Sequence, residues 1–185
     1  RIANEMGYGL YKKKEKNKAS FTQTINDNWN IVVKSNLLTG SEMGFLMSIH
    51  SLIEYSVNAI ADPQTGNFMS VSDIARYLNR GRPNVSNTIQ SLIQKGILFE
   101  FVNVDELMKF KRNVSKRSLF MNPELFYAGN RNTINGALAM LVAQYEKLEK
   151  NNILLDWKVW RKKDQTFGKL YRRKTYLKLK KGVPD

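Results

Sequence analysis

The chain has 185 residues, with 30 Lys and Arg against 16 Asp and Glu, a formal net charge of +14 at pH 7, 42% hydrophobic residues and no cysteine. That length supports one good core with appendages, or two small domains. No apolar run approaches the roughly 18 residues of a membrane span, disulfides and thiolate metal sites are excluded, and the charge calls for a polyanion or an anionic membrane surface.

Residues 1–34 read as a basic N-terminal arm and lead-in. Arg1-Ile2-Ala3-Asn4 runs into mixed polar sequence with no signal peptide, so a cytoplasmic protein is expected, and the missing initiator Met implies a trimmed start. Lys12, Lys13, Lys14, Lys16 and Lys18 surround a single Glu15 with almost nothing apolar to bury. Such an arm either lies along a groove or is a solvated tail. Phe21 to Val33 is expected to be extended and then to enter a short helix near Trp29, Ile31 and Val33.

Residues 35–127 hold the main domain. Ser35 to Ser41 is a loop with capping chemistry, and Glu42 through about Ile60 is expected to be the core helix. Its stripe is Phe45, Leu46, Ile49, Leu52, Ile53, Val57 and Ile60. His50, the only histidine, falls inside it and reads as structural. Asp62 to Gly66 is a turn, and Asn67-Phe68-Met69 a short first strand.

Met69 to Phe101 then runs as helix, short turn, second helix and strand, the order of a helix-turn-helix entering a wing. Ser70 or Ser72 can cap the first helix, Asn79-Arg80-Gly81 breaks it, Pro83 restarts at a first-turn position, and Gly96 ends the second. At about 100° per residue, Val85, Ile89, Leu92 and Ile93 share one side of the second helix. Asn84, Asn87, Gln90, Ser91 and Gln94 lie opposite, with no carboxylate among them. Asn and Gln match the N6/N7 edge of adenine, and Arg82 could reach guanine or a phosphate, so Arg82, Asn84, Asn87, Gln90, Ser91 and Gln94 are the expected base-reading set. The bland alternative is a solvated face that happens to carry amides. Arg80, Ser86 and Thr88 flank it as expected backbone contacts.

The wing is expected to span Val104 to Ser115 between strands Ile97–Asn103 and Lys116–Met121, with Lys109, Lys111, Arg112, Lys116 and Arg117 on phosphates. Its DELMKF stretch could instead form a helical turn. Residues 128–152 are expected to hold one long helix, Thr133 to Asn151, with a stripe through Ile134, Ala137, Leu138, Leu141, Val142, Tyr145 and Leu148. A lone helix cannot bury such a stripe, so a homodimer seam is expected, with packing on the first core helix as the other arrangement.

Residues 153–185 form a basic aromatic tail. Between Trp157 and Lys181 eleven cations face Asp164 alone, interleaved with Trp157, Trp160, Phe167, Tyr171 and Tyr176. Alternation from Leu170 to Leu179 predicts a hairpin around Gly168. Lys162, Lys163, Arg172, Arg173 and Lys174 are its expected nucleic-acid contacts, where aromatics stack and cations pair with phosphates. The other reading puts the aromatics in the core and the lysines in solvent.

VSDIARYLNRGRPNVSNTIQSLIQKGIL and SKRSLFMNPELFYAGNRN, with Leu38-Thr39-Gly40-Ser41-Glu42 before the core helix, resemble winged-helix replication-initiator proteins of Gram-positive plasmids and phages. The first stretch is shared with many regulators, MarR-like ones included. The resemblance covers about Ser35 to Asn132. It implies a winged helix-turn-helix; with the long C-terminal helix and basic β-rich tail read from the residues beyond it, the expected fold is mainly α with a small β wing (α+β), and the tail is not part of the winged-helix pattern. It also implies a sequence-specific double-stranded DNA-binding protein at an origin or an operator. Replication proteins are then possible partners, with the protein associated with nucleoid or plasmid.

No Gly-rich phosphate loop, HExxH or triad is present, and Asp73, Asp105, Glu106 and Glu124 are scattered, so no enzyme, cofactor or metal is expected. Three functions compete: a replication initiator, a transcriptional regulator, and an RNA-binding or structural nucleoid protein.

Overall fold

The computed structural model describes residues 21–101 and 118–182, a mixed α+β chain with small sheets. Its centre is an antiparallel pair, β2 (Leu98–Phe101) and β3 (Ser118–Met121), with Leu98 opposite Met121 and Phe99 opposite Phe120. Side chains alternate across a strand, so this pair serves two hydrophobic clusters at once. Leu98, Leu119 and Met121 join a helical cluster, while Phe99 and Phe120 join a second one.

The helical cluster gathers α1 (Asn26–Lys34), α2 (Gly40–Ile49), α3 (Val71–Tyr77) and α4 (Arg82–Gln94). Val32, Phe45, Leu46, Ile49, Ile74, Val85, Ile89 and Leu92 meet there at 0–1% exposure. Each such side chain contributes roughly 1.5–3 kcal/mol by leaving water. The lead-in forms as expected in kind: β1 (Gln23–Thr24) is followed at once by α1.

The core helix expected through Ile60 stops at Ile49. A 3-10 turn (His50–Leu52) follows, and Ser56 and Asn58 adopt φ of 69° and 61°. Asn58 is held there because its buried amide is fully used. Nδ2 donates to the carbonyls of Met121 (2.9 Å) and Phe126 (2.7 Å), and Oδ1 accepts from the Ala128 N–H at 2.9 Å. Ala59 then bridges Phe120, so residues 58–61 lie along the edge of β3 opposite β2. Phe68 bridges Ala61, so the strand expected at Asn67–Met69 pairs with 58–61.

The single helix expected from Thr133 to Asn151 does not form. Ile134–Asn135 is a strand, β5, and Asn135 caps α5 (Gly136–Gln144) by accepting from the N–H groups of Ala137 and Leu138. Tyr145 leaves the helix at φ −110°, ψ 40°, and α6 (Lys147–Lys150) follows. The chain buries the stripe itself: Ile134, Leu138, Leu141 and Val142 enter the second cluster, and Leu148 enters the helical one. These residues are therefore covered within the chain itself.

Residues 153–182 are not a tail. β6 (Trp157–Trp160) and β7 (Phe167–Arg172) form the expected hairpin, and β7 also pairs with β5, in the order β5–β7–β6. Val159 and Leu170 complete the second cluster. A Cβ on Gly168 would come within 2.7 Å of the Ala139 Cβ, so α5 needs glycine there to lie on the sheet. The strand alternation read through Leu179 ends at Arg172. Arg173–Lys180 is a helix, α7, whose one buried side chain is Tyr176.

The two halves are bolted together. Asn28 of α1 donates to the carbonyls of Glu124 (2.7 Å) and Trp157 (2.8 Å). Gly96, at φ 77°, closes α4 where Lys147 lies against it, and Lys147 Nζ donates to the Ile93 carbonyl at 2.9 Å. β4 (Phe126–Tyr127) pairs with β1.

Candidate nucleic-acid interface

Ser70, not Ser72, caps α3. Its Oγ accepts from the Asp73 N–H (3.2 Å), and Asp73 Oδ2 accepts from the Ser70 N–H (2.9 Å). This reciprocal box satisfies two otherwise unpaired donors. Asn79 takes φ 51° and ends α3, and α4 starts after Gly81 with Pro83 in its first turn.

α4 presents two chemically different faces. Val85, Ile89 and Leu92 are buried; Asn84, Asn87, Gln90 and Gln94 are exposed. No acid occurs between Arg82 and Gln94. Asn87, Gln90 and Gln94 therefore form one outward row of amides able both to donate and to accept.

Ser91 departs from that row. It is half-buried, and its hydroxyl donates to Glu42 Oε1 at 2.6 Å, so α2 occupies the group expected to meet a base. Thr88 Oγ1 bonds back to the Asn84 carbonyl (2.9 Å), and Ser86 and Thr88 are half-buried flanks. Arg80 and Arg82 are exposed, and Arg82 Nε donates to Ser72 Oγ at 2.9 Å, which draws the guanidinium back over the start of α3. Lys109, Lys111, Arg112, Lys116 and Arg117, like the arm at residues 1–20, lie outside the described residues.

Glu42 locks α4 to α2. It completes the α2 capping box with Thr39, and Lys95 Nζ reaches both its oxygens at 2.7 Å. Burial alone would raise its pKa, but hydrogen bonds from Lys95, Ser91 and Thr39 outweigh that and hold it at about 2 against an ordinary 4.5. A depressed carboxyl contributes stability that is present above its unfolded pKa and lost as pH falls toward the folded one. Glu42→Gln is expected to lose about 2–3 kcal/mol at pH 7, with the gap to the parent closing between pH 4.5 and 2. Urea unfolding across that range checks it; a gap independent of pH would exclude the charged anchor.

The expected tail contacts divide. Lys162 and Lys163, at the β6–β7 turn, and Lys174 are exposed. Arg172 lies over Trp157 (4.8 Å to the ring centroid), and Arg173 pairs with Glu149 at 2.8 Å, so these two brace the fold.

Sequence reasoning missed a buried ion cluster. Lys158, counted among the tail cations, is fully buried, with Nζ 2.8 Å from Glu124 Oε2 and also bonded to Glu146. No local pattern announces it, because the three residues belong to different segments. His50 packs edge-on against Phe126 at 5.3 Å, and burial lowers its pKa. Among the described residues, no three His, Asp or Glu side chains could together hold a metal ion, and no helix is long and apolar enough to cross a membrane.

No family model and no solved structure matches the chain. A Bacillus thuringiensis protein described as an uncharacterized 23.6 kDa protein is 30% identical over 142 residues, covering 75% of this chain and 68% of that protein. The chain belongs to that protein's family. The family's description names no activity, so function rests on the chemistry of the surface.

Proposed function

We propose that this chain is a sequence-specific double-stranded DNA-binding protein of winged helix-turn-helix build, acting as a plasmid or phage replication initiator at origin sites. The observation that carries the reading is the exposed, acid-free amide row Asn87, Gln90 and Gln94 on a helix that follows a tight turn. Such a helix fits the major groove, and its amides can contact adenine in bidentate fashion. Support also comes from the order α2, edge segment 58–61, α3, α4, β2 and β3, with the edge segment beside β3. The net charge of +14 suits phosphate neutralisation. The preference for an initiator rests on the likeness carried by Met121 to Arg131, residues that mostly serve packing here: 121–129 are buried.

Selection of bound fragments from the source genome tests this. A short motif repeated at a replication origin is the expected result. A site overlapping a promoter would make the protein a regulator instead, and no enriched motif would end the base-reading account.

A further inference from the structure

The outer face of the β5–β7–β6 sheet carries aromatics and cations in register. Alternation places Phe167, Lys169 and Tyr171 on one face of β7, and Trp160 is the cross-strand partner of Lys169. Opposed and diagonal neighbours on a sheet lie within reach of one another, so these four side chains form one patch. Phe167 is 36% exposed, Lys169 is exposed, and Tyr171 and Trp160 are half-buried. Lys169 Nζ lies 5.7 Å from the Tyr171 ring centroid, and Trp160 is steadied edge-on by Tyr176 at 5.8 Å. No acid occurs within β5, β6 or β7, and the turn joining the last two exposes Lys162 and Lys163 beside a single acid, Asp164.

We infer that this face is a stacking platform for single-stranded nucleic acid, separate from α4. The rings bear on the choice of partner. A duplex keeps its bases stacked on one another and offers a sheet only phosphates, whereas a single strand can lay bases on Phe167, Tyr171 and Trp160 while Lys169, Lys162 and Lys163 meet its phosphates. Stacking of this kind is tolerant of sequence, because every base has a π-face. The inference shares with the proposed function only the nucleic-acid class of ligand, and it uses none of the α4 residues.

The test measures binding of the full chain to a fluorescent oligo-dT, an oligo-U, a duplex of equal length and an abasic sugar–phosphate oligomer. Phe167→Ala and Tyr171→Ala are each expected to weaken oligo-dT or oligo-U at least about fivefold, in line with roughly 1–3 kcal/mol per stacked base. Binding to the abasic oligomer should stay unchanged, and Phe167→Tyr should restore the parent value. Asn87→Ala with Gln90→Ala should leave single-strand binding intact, which separates failure here from failure at α4. Melting temperature on each variant confirms the fold; Tyr171→Ala, with the parent's affinity for the abasic against the base-bearing strands, carries the test if Phe167→Ala melts early. Equal affinity for the abasic and base-bearing strands, or no single-strand binding by the parent, would overturn the platform.

Discussion

Lys158→Ala is expected to lose about 3–5 kcal/mol of folding stability, the range for removing one partner of a buried ion pair. Lys158 is fully buried beside Glu124, also fully buried, and near the ring of Tyr176 at 5.7 Å. Burial would lower the lysine pKa on its own, but the charges of Glu124 and Glu146 raise it instead. Glu124 is pushed the other way from an ordinary carboxylate: burial first, then the charge of Glu146, lift it to about 7 against the pull of Lys158. Its other oxygen accepts from the Val159 N–H at 2.8 Å, so Glu124 also caps the edge of β6. Without the ammonium, two carboxylates face each other without a counter-charge. Without the pull of Lys158 the Glu124 pKa in the folded variant rises further, and a raised acid loses stability as pH climbs above its unfolded value. The loss in Lys158→Ala should therefore be larger at pH 8 than at pH 5, as read by urea unfolding at both. A loss below about 1 kcal/mol at pH 8 would contradict this account of the cluster.

Truncation after Asn152 is expected to abolish the cooperative melt altogether. The removed segment supplies Leu155, Val159, Leu170 and Tyr176 to the interior. At roughly 1.5–3 kcal/mol each, four such side chains amount to about 6–12 kcal/mol, comparable with the entire stability of a typical domain. The cut also removes the Trp157 N–H that Asn28 Oδ1 accepts from, leaving that buried oxygen unpaired while Nδ2 keeps the Glu124 carbonyl. A separable tail predicts the opposite: an intact melt and only a flatter dependence of DNA affinity on salt. A truncated protein melting cooperatively within a few degrees of the parent would contradict the integrated fold.

The parts of this molecule that were legible in sequence are those whose signals are local. Ser70 and Asp73, the Asn79–Gly81 break, Pro83 and Gly96 lie within one turn of the ends they define, and α3 and α4 form where they predict. The amide row of α4 follows from helical period alone. The failures share a different cause. Val57 and Ile60 continue the spacing of α2, but Asn58 reaches to Met121, Phe126 and Ala128, far along the chain, and that pairing overrides the local pattern. The stripe from Ile134 to Leu148 is apolar as expected, yet Ile134 to Val142 pack with strands β6 and β7 and Leu148 with the helical cluster, which a helical count does not reveal. Lys158 looks like any other basic residue until Glu124 and Glu146 are brought to it. At the site itself, Ser91 has the right helical phase for an outer residue, and only the arrival of Glu42 removes it from the set.

The central claim is that α4 reads bases, and comparing Asn87→Ala with Gln90→Ala on the selected site and on random duplex tests it most directly. Each substitution removes an exposed amide, so folding should be unaffected and binding alone should respond. The account predicts a loss of roughly 1–3 kcal/mol for each variant on the selected site and almost none on random DNA. Equal losses on both DNAs, or no loss on either, would contradict it.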